Sequence, residues 1–146
     1  MRVLIVDDHR IVASGCRALF ADDPEIDILE ASDAESGERV FGERHPDICV
    51  LDINLPTVSG FELARRSLAR DASARIIMFS MNDDPVFAAR AIEVGAKGYR
   101  FQSRGSQDLV EAIREVAKGR SLSAAGDGAK HRIRETLVRP KVRFQS

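Results

Sequence analysis

Apolar residues in this chain fall into short runs that stop abruptly on acids or hydroxyls. Residues 3–6 run into Asp7 and Asp8, residues 48–51 into Asp52, and residues 76–79 into Ser80. Runs of about four apolar residues, too short for a buried helix and bounded by polar residues, predict interior strands of a parallel sheet. Residues 26–29 predict a further strand nearer a sheet edge, and residues 98–101 a short fifth one.

Between the runs the apolar period changes to that of a helix. Val12, Cys16, Leu19 and Phe20 mark one face of a first helix that stops near Asp23-Pro24. Ser32 and Glu35 have capping-box spacing and predict the start of a second, which carries Val40 and Phe41 inward and ends before His45-Pro46. Pro56 and Gly60 lead into a third with Phe61, Ala64 and Leu68 on one side. Asn82, Asp83 and Asp84 before Pro85 form an acidic cap with proline at the first helical position, opening a fourth that runs to about Gly95. The fifth starts near Ser106 and turns Leu109, Ile113 and Val116 inward. Strands alternating with helices predict repeated βα units, and five of each with right-handed crossovers predict a three-layer α/β sandwich.

In an open parallel sheet, ligands bind beyond the carboxyl ends of the strands, where strand order reverses. Asp7, Asp8, Asp52 and Ser80 would share that crevice. Carboxylates about 5 Å apart repel by roughly 3 kcal/mol per pair at an effective dielectric of about 20. A hard divalent cation resolves the conflict, and Mg²⁺ suits best because it takes one or two carboxylates and leaves positions for water and phosphate oxygens. An acid at a helix start also serves as an electrostatic cap, which accounts for Asp7 and Asp8 but not for Asp52 opposite them.

Composition narrows the class further. The 146 residues are 44% hydrophobic and 31% charged, as expected of one globular domain. No run approaches the roughly 18 apolar residues of a membrane span, and the N-terminus lacks a secretory h-region, so a cytoplasmic location is expected. Cys16 and Cys49 sit in apolar context and read as reduced, buried thiols, and the three histidines have no zinc-ligand spacing. His9 is expected at the rim of the crevice rather than as an acid, base or ligand. Net charge is −1 but uneven: residues 121–146 carry +4 and the first 120 carry −5. Residues 1–120 are therefore expected to form the domain, and residues 121–146 a flexible linker and basic tail. Nucleic-acid contact is the sharper reading of that tail, although no helix-turn-helix pattern follows.

The ordered set of Asp7-Asp8, Asp52, Pro56, Gly60, Ser80 and Tyr99, with the phrases VDDH, DINLPTVSGFEL, MFSMNDD and GAKGY, resembles the receiver domain of bacterial two-component response regulators, in particular the NarL/FixJ (LuxR-type) subgroup. The resemblance covers residues 2 to about 120 and implies a flavodoxin-like (βα)5 fold with strand order 2-1-3-4-5. It implies that Asp52 accepts a phosphoryl group from a sensor histidine kinase or small phosphodonor. Asp8, Asp52 and the backbone carbonyl of Asn54 would hold Mg²⁺, with Asp7 acting mainly through a bound water. Ser80 would bond a phosphoryl oxygen and Tyr99 would swing inward, switching the face formed by the fourth helix, fifth strand and fifth helix towards a partner or a homodimer mate. DNA would be reached only indirectly or through an effector domain this chain lacks, with no membrane contact. The domain would be a phosphoacceptor rather than an enzyme.

One position departs from the family. The motif has a lysine three residues after the aromatic of the fifth strand, where this chain reads Tyr99-Arg100-Phe101-Gln102. Gln102 can donate a hydrogen bond but brings no charge, so charge-assisted stabilisation is lost. Arg104 is the better candidate to replace it, and Arg100 the other. The alternative function is therefore an interaction module with weak or no dependence on phosphorylation. A small phosphohydrolase or flavin-binding protein on the same fold is disfavoured, because no Gly-rich phosphate loop follows the first strand.

Overall fold

The computed structural model describes residues 1–82 and 84–119. Its strands are β1 (Arg2–Val6), β2 (Asp27–Ala31), β3 (Ile48–Asp52), β4 (Arg75–Ser80) and β5 (Gly98–Phe101). They alternate with α1 (Arg10–Leu19), α2 (Ala34–Arg44), α3 (Gly60–Arg70), α4 (Pro85–Glu93) and α5 (Gly105–Ala117), with a short 3-10 turn over Gln102–Arg104. All strand pairs are parallel and their order is β2-β1-β3-β4-β5. This is the flavodoxin-like (βα)5 sandwich that the sequence implies.

Alternation of side chains across the sheet builds two cores from each apolar run. Leu4, Val6, Cys49, Leu51, Ile76 and Met78 point to the α2, α3 and α4 side, where Phe41, Leu63, Ala64 and Ala91 cover them. Val3, Ile5, Ile48, Val50, Ile77 and Phe79 face α1 and α5 and meet Cys16, Leu109, Ile113 and Val116. Every residue of β3 is buried, which is why its apolar run is unbroken rather than alternating. Cys16 and Cys49 are free and buried, as expected, and burial pushes their thiols up to about 11 and about 12.

Two local readings need correction. The capping box of α2 lies one residue later than Ser32 and Glu35: Asp33 is the N-cap, its carboxylate accepting from the Ser36 N–H at 2.8 Å while the Asp33 N–H donates to Ser36 Oγ at 3.3 Å. β2 correspondingly runs to Ala31, two residues beyond the apolar run that marks it. Leu19 is 44% exposed, because the inward stripe of the first helix is centred on Ala13, Cys16 and the following Phe20, which leaves Leu19 on its flank. The start of α4 is as expected: Asp84 accepts from the Val86 N–H at 3.0 Å with Pro85 at the first turn. Asp83 and the tail, residues 121–146, lie outside the described residues.

The β3–α3 connection fixes the crevice. The Gly60 N–H donates to the Ile53 carbonyl at 2.8 Å, folding residues 54–59 into a tight loop. A Cβ on Gly60 would stand 2.1 Å from the Asp52 carbonyl oxygen, so only glycine permits this approach. Gly60→Ala is expected to cost about 1–3 kcal/mol by overpacking, read as a lower urea midpoint with an unchanged denaturant slope.

Candidate functional site

Sheet register brings the polar ends of three strands to one edge. Asp7 directly follows β1, and its N–H donates to the Ala31 carbonyl at 3.0 Å, continuing the β1–β2 pairing. Asp52 closes β3 opposite Phe79, and Ser80 closes β4 opposite Phe101. One donor atom from each of Asp7, Asp8, His9 and Asp52 lies within 4.8 Å of all the others. Asp52 is 2% exposed and Ser80 fully buried, whereas Asp8 and His9 stand at the rim.

Hydrogen bonds hold these groups in place. Asp7 Oδ1 accepts from the His9 N–H at 2.8 Å, and His9 Nδ1 lies 3.0 Å from that oxygen and 3.1 Å from Asp8 Oδ1. Asp52 Oδ1 accepts from the Asn54 N–H at 3.1 Å. Ser80 Oγ accepts from the Asn82 N–H at 3.0 Å, and the Tyr99 hydroxyl donates to the Asn82 carbonyl at 2.8 Å. The β4–α4 loop is thus tied at Asn82 to both the crevice and β5.

The electrostatics are those of crowded carboxylates with too little positive charge. Burial, reinforced by Asp7 and Asp8, pushes the Asp52 carboxyl up to about 7 against the lowering effect of the Asn54 N–H. Burial also raises Asp7, opposed by its hydrogen bonds with His9. His9 is raised chiefly by its hydrogen bond to Asp7 and then by the charge of Asp8. Three carboxylates at this spacing, two of them buried, form a donor set suited to a hard divalent cation.

The same fold occurs in known proteins. Residues 3–114 match the response regulator receiver domain family. The chain belongs to that family. It is 36% identical over 124 residues to the DNA-binding transcriptional activator DevR/DosR of Mycobacterium tuberculosis, covering 84% of this chain and 57% of that protein. It is 30% identical over 118 residues to the nitrate/nitrite response regulator protein NarL of Escherichia coli K12, covering 80% of this chain and 55% of that protein. The crystal structure of a LuxR-family two-component response regulator from Aurantimonas sp. SI85-9A1 superimposes with a TM-score of 0.80 at 37% identity, covering 94% of this chain and 97% of that one. This receiver domain is accordingly of the NarL/LuxR type, and the chain spans little more than half the length of the full regulators it matches. No helix among the described residues is long and apolar enough to cross a membrane.

Within this receiver, Gln102 reaches the crevice. Its Nε2 donates to Asp7 Oδ2 at 3.1 Å, placing a neutral amide in contact with the carboxylates. Of the two expected substitutes, Arg100 is turned away from the crevice. Arg100 is 1% exposed on the α5 side, its guanidinium donating to the Tyr99 carbonyl at 3.0 Å and lying 3.4 Å from Asp108 of α5. Arg104 is exposed. Tyr99 is turned inward, 2% exposed, with its ring edge-on to Phe101 at 5.6 Å.

Two contacts were not legible beforehand. The burial of Arg100 against Asp108 pairs residues eight apart on different elements, and an arginine within a strand carried no hint of its partner. His9 does lie at the rim, its side chain 59% exposed, but it bridges Asp7 and Asp8 instead of standing apart from them. The signal was its place at the end of the Asp-Asp pair.

The raised Asp52 carboxyl has a measurable consequence in the absence of metal. Between its ordinary value of 3.8 and about 7 the unfolded state binds fewer protons than the folded one, so stability falls as pH rises through that window. Asp52→Asn removes this cost. Urea denaturation in EDTA should show the variant more stable than the parent by on the order of 2–4 kcal/mol at pH 8, with the gap closing towards pH 4.

Proposed function

We propose that this receiver domain takes a phosphoryl group onto Asp52 from a sensor histidine kinase or a small phosphodonor. A carboxylate oxygen of Asp52 attacks phosphorus, the bond to the donor atom breaks, and the leaving group departs with its electron pair; the product is an acyl phosphate. The observation that carries this reading is the setting of Asp52. It is a buried carboxylate at the carboxyl end of the central strand, steadied on one oxygen by the Asn54 N–H and flanked by two further carboxylates and a hydroxyl.

Asp8, Asp52 and the backbone carbonyl of Asn54 would hold Mg²⁺, with Asp7 engaged mainly through a water. When bound, the ion supplies positive charge that offsets repulsion between the carboxylates and the incoming phosphoryl group. Ser80 accepts from Asn82 and has its own proton to donate to a phosphoryl oxygen. Movement at Ser80 would be felt at Asn82, whose carbonyl holds the Tyr99 hydroxyl. That chain of contacts runs from the acceptor to the α4–β5–α5 face, where Val86 and Ile92 are 51% and 43% exposed and available to a partner or a homodimer mate. The domain acts as a phosphoacceptor rather than an enzyme, in the cytoplasm. Contact with DNA would be indirect or through an effector domain.

Gln102 favours a second reading. An amide in place of a cation holds Asp7 without charge. In that reading the domain binds its partner with weak or no dependence on phosphorylation.

Acetyl phosphate with Mg²⁺, read by intact mass and by the amide signals of Ser80 and Tyr99, separates the two. The expected result is one added phosphoryl group that disappears in Asp52→Asn, with the Tyr99 signal shifting. Mass gain without a shift, with the shift restored in Gln102→Lys, supports the second reading. No mass gain from either acetyl phosphate or a kinase defeats the first.

A further inference from the structure

Arg100 puts a charge where the surrounding packing is apolar. It lies in β5 opposite Phe79, on the sheet face that α5 covers, and is 1% exposed. Its guanidinium donates to the Tyr99 carbonyl at 3.0 Å, and its Nε lies 3.4 Å from Oδ2 of Asp108 in the first turn of α5. Apolar side chains of similar volume in place of a buried ion pair are often neutral or stabilising, so stability alone does not account for this one. What the pair adds is a fixed connection between a strand and a helix.

The two residues of the pair bracket Gln102. β5 is the last strand in the order and pairs with β4 alone among the described residues, in a register that ends at Phe101. Gln102 opens the 3-10 turn beyond it, and Arg104, at the N-cap of α5, makes no capping hydrogen bond with its side chain. Gly105 follows at φ 86°, a conformation glycine adopts without strain. The turn that carries Gln102 is therefore held by neither sheet pairing nor a side-chain cap. Arg100 and Asp108 join the elements on either side of it, and from it Gln102 Nε2 donates to Asp7 Oδ2 at 3.1 Å. A side chain at a site keeps its geometry only when the groups behind it are locked in turn.

We propose that Arg100 is a positioning residue of the acceptor site: its pair with Asp108 holds β5 against the first turn of α5 and so seats the Gln102 amide on Asp7. The effect of that amide on phosphoryl transfer rests on the reading of Asp52 as the acceptor, whereas the seating itself does not. A guanidinium suits the task because its planar fork holds two acceptors in fixed directions, here a strand carbonyl and a helix carboxylate. Apolar side chains would fill the same volume without fixing either direction. Arg100 thus acts on the crevice through Gln102 while turned away from it.

The test reads the side-chain amide of Gln102 by ¹⁵N NMR in the full chain, without metal or phosphodonor. In the parent its two Nε2 protons should give well-separated signals, one of them slow to exchange with water. In the paired variant Arg100→Met with Asp108→Leu, which leaves no buried charge behind, the signals should move to the positions of a free amide and exchange should quicken about fivefold, the equivalent of one net hydrogen bond. Asp108→Asn, which keeps the shape and removes the charge, should shift them part of the way, and it decides the matter if the paired variant fails to fold. Acetyl phosphate with Mg²⁺ gives the second readout. The rate of phosphoryl mass gain should fall by the same factor in the paired variant and in Gln102→Ala, with no further fall when the changes are combined, because residues acting through one contact are not additive. Gln102 signals unchanged in whichever variant folds, or a rate loss from the paired variant that persists in the Gln102→Ala background, overturns the inference. A parent that gains no phosphoryl mass overturns the acceptor reading together with the kinetic half of the inference, and the amide signals still decide the seating.

Discussion

Like charges forced together by sheet register are the constraint from which the rest of this receiver follows. Asp7 is held by the Ala31 carbonyl, and Asp52 by its place at the end of β3 against β4, so neither can retreat without breaking strand pairing. The apolar residues immediately before them are fully buried and anchor the strands from below. The stability of two hydrophobic cores is thereby used to hold carboxylates closer than they would sit in water. The result is a raised Asp52, a His9 drawn over the pair, and a crevice whose repulsion a cation or a proton can relieve.

Around this constraint the loops are fitted closely. Gly60 lets the β3–α3 loop fold back against the Asp52 carbonyl, which puts the Asn54 N–H onto the carboxylate. Asn82 serves two neighbours at once, giving its N–H to Ser80 and its carbonyl to Tyr99. A change at the acceptor edge therefore has a short covalent and hydrogen-bonded route to β5. Arg100 adds a second tie, fixing β5 to α5 through a buried ion pair with Asp108 on the opposite side of the sheet from Tyr99. Buried pairs of this kind contribute more to defining an arrangement than to net stability, because the desolvation of both charges offsets much of their attraction.

The position of Gln102 shows how one residue alters the balance of such a site without altering its fold. Its amide makes the contact to Asp7 that geometry offers, while the charge resides elsewhere: Arg100, two residues earlier on β5, is turned away to Asp108. A crevice with three carboxylates and an amide has more to gain from a divalent cation than one containing a lysine, and less with which to hold a transferred phosphoryl group.

Much of this was written in local patterns. Four-residue apolar runs ending on Asp7, Asp52 and Ser80 specify parallel strands whose polar ends meet at one edge, because strand alternation and right-handed crossovers leave little other choice. Asp84-Pro85 marked a helix start for equally local reasons, namely a short acceptor and a ring that needs no N–H donor. What only the tertiary structure decided were the contacts between residues far apart in the chain or on different elements: Gln102 on Asp7, Arg100 on Asp108, the Tyr99 hydroxyl on Asn82, and the outward turn of Leu19. Periodicity assigns a side chain to a face. Which atom it meets there depends on how neighbouring elements pack, and that is decided by the whole core rather than by the segment carrying the residue.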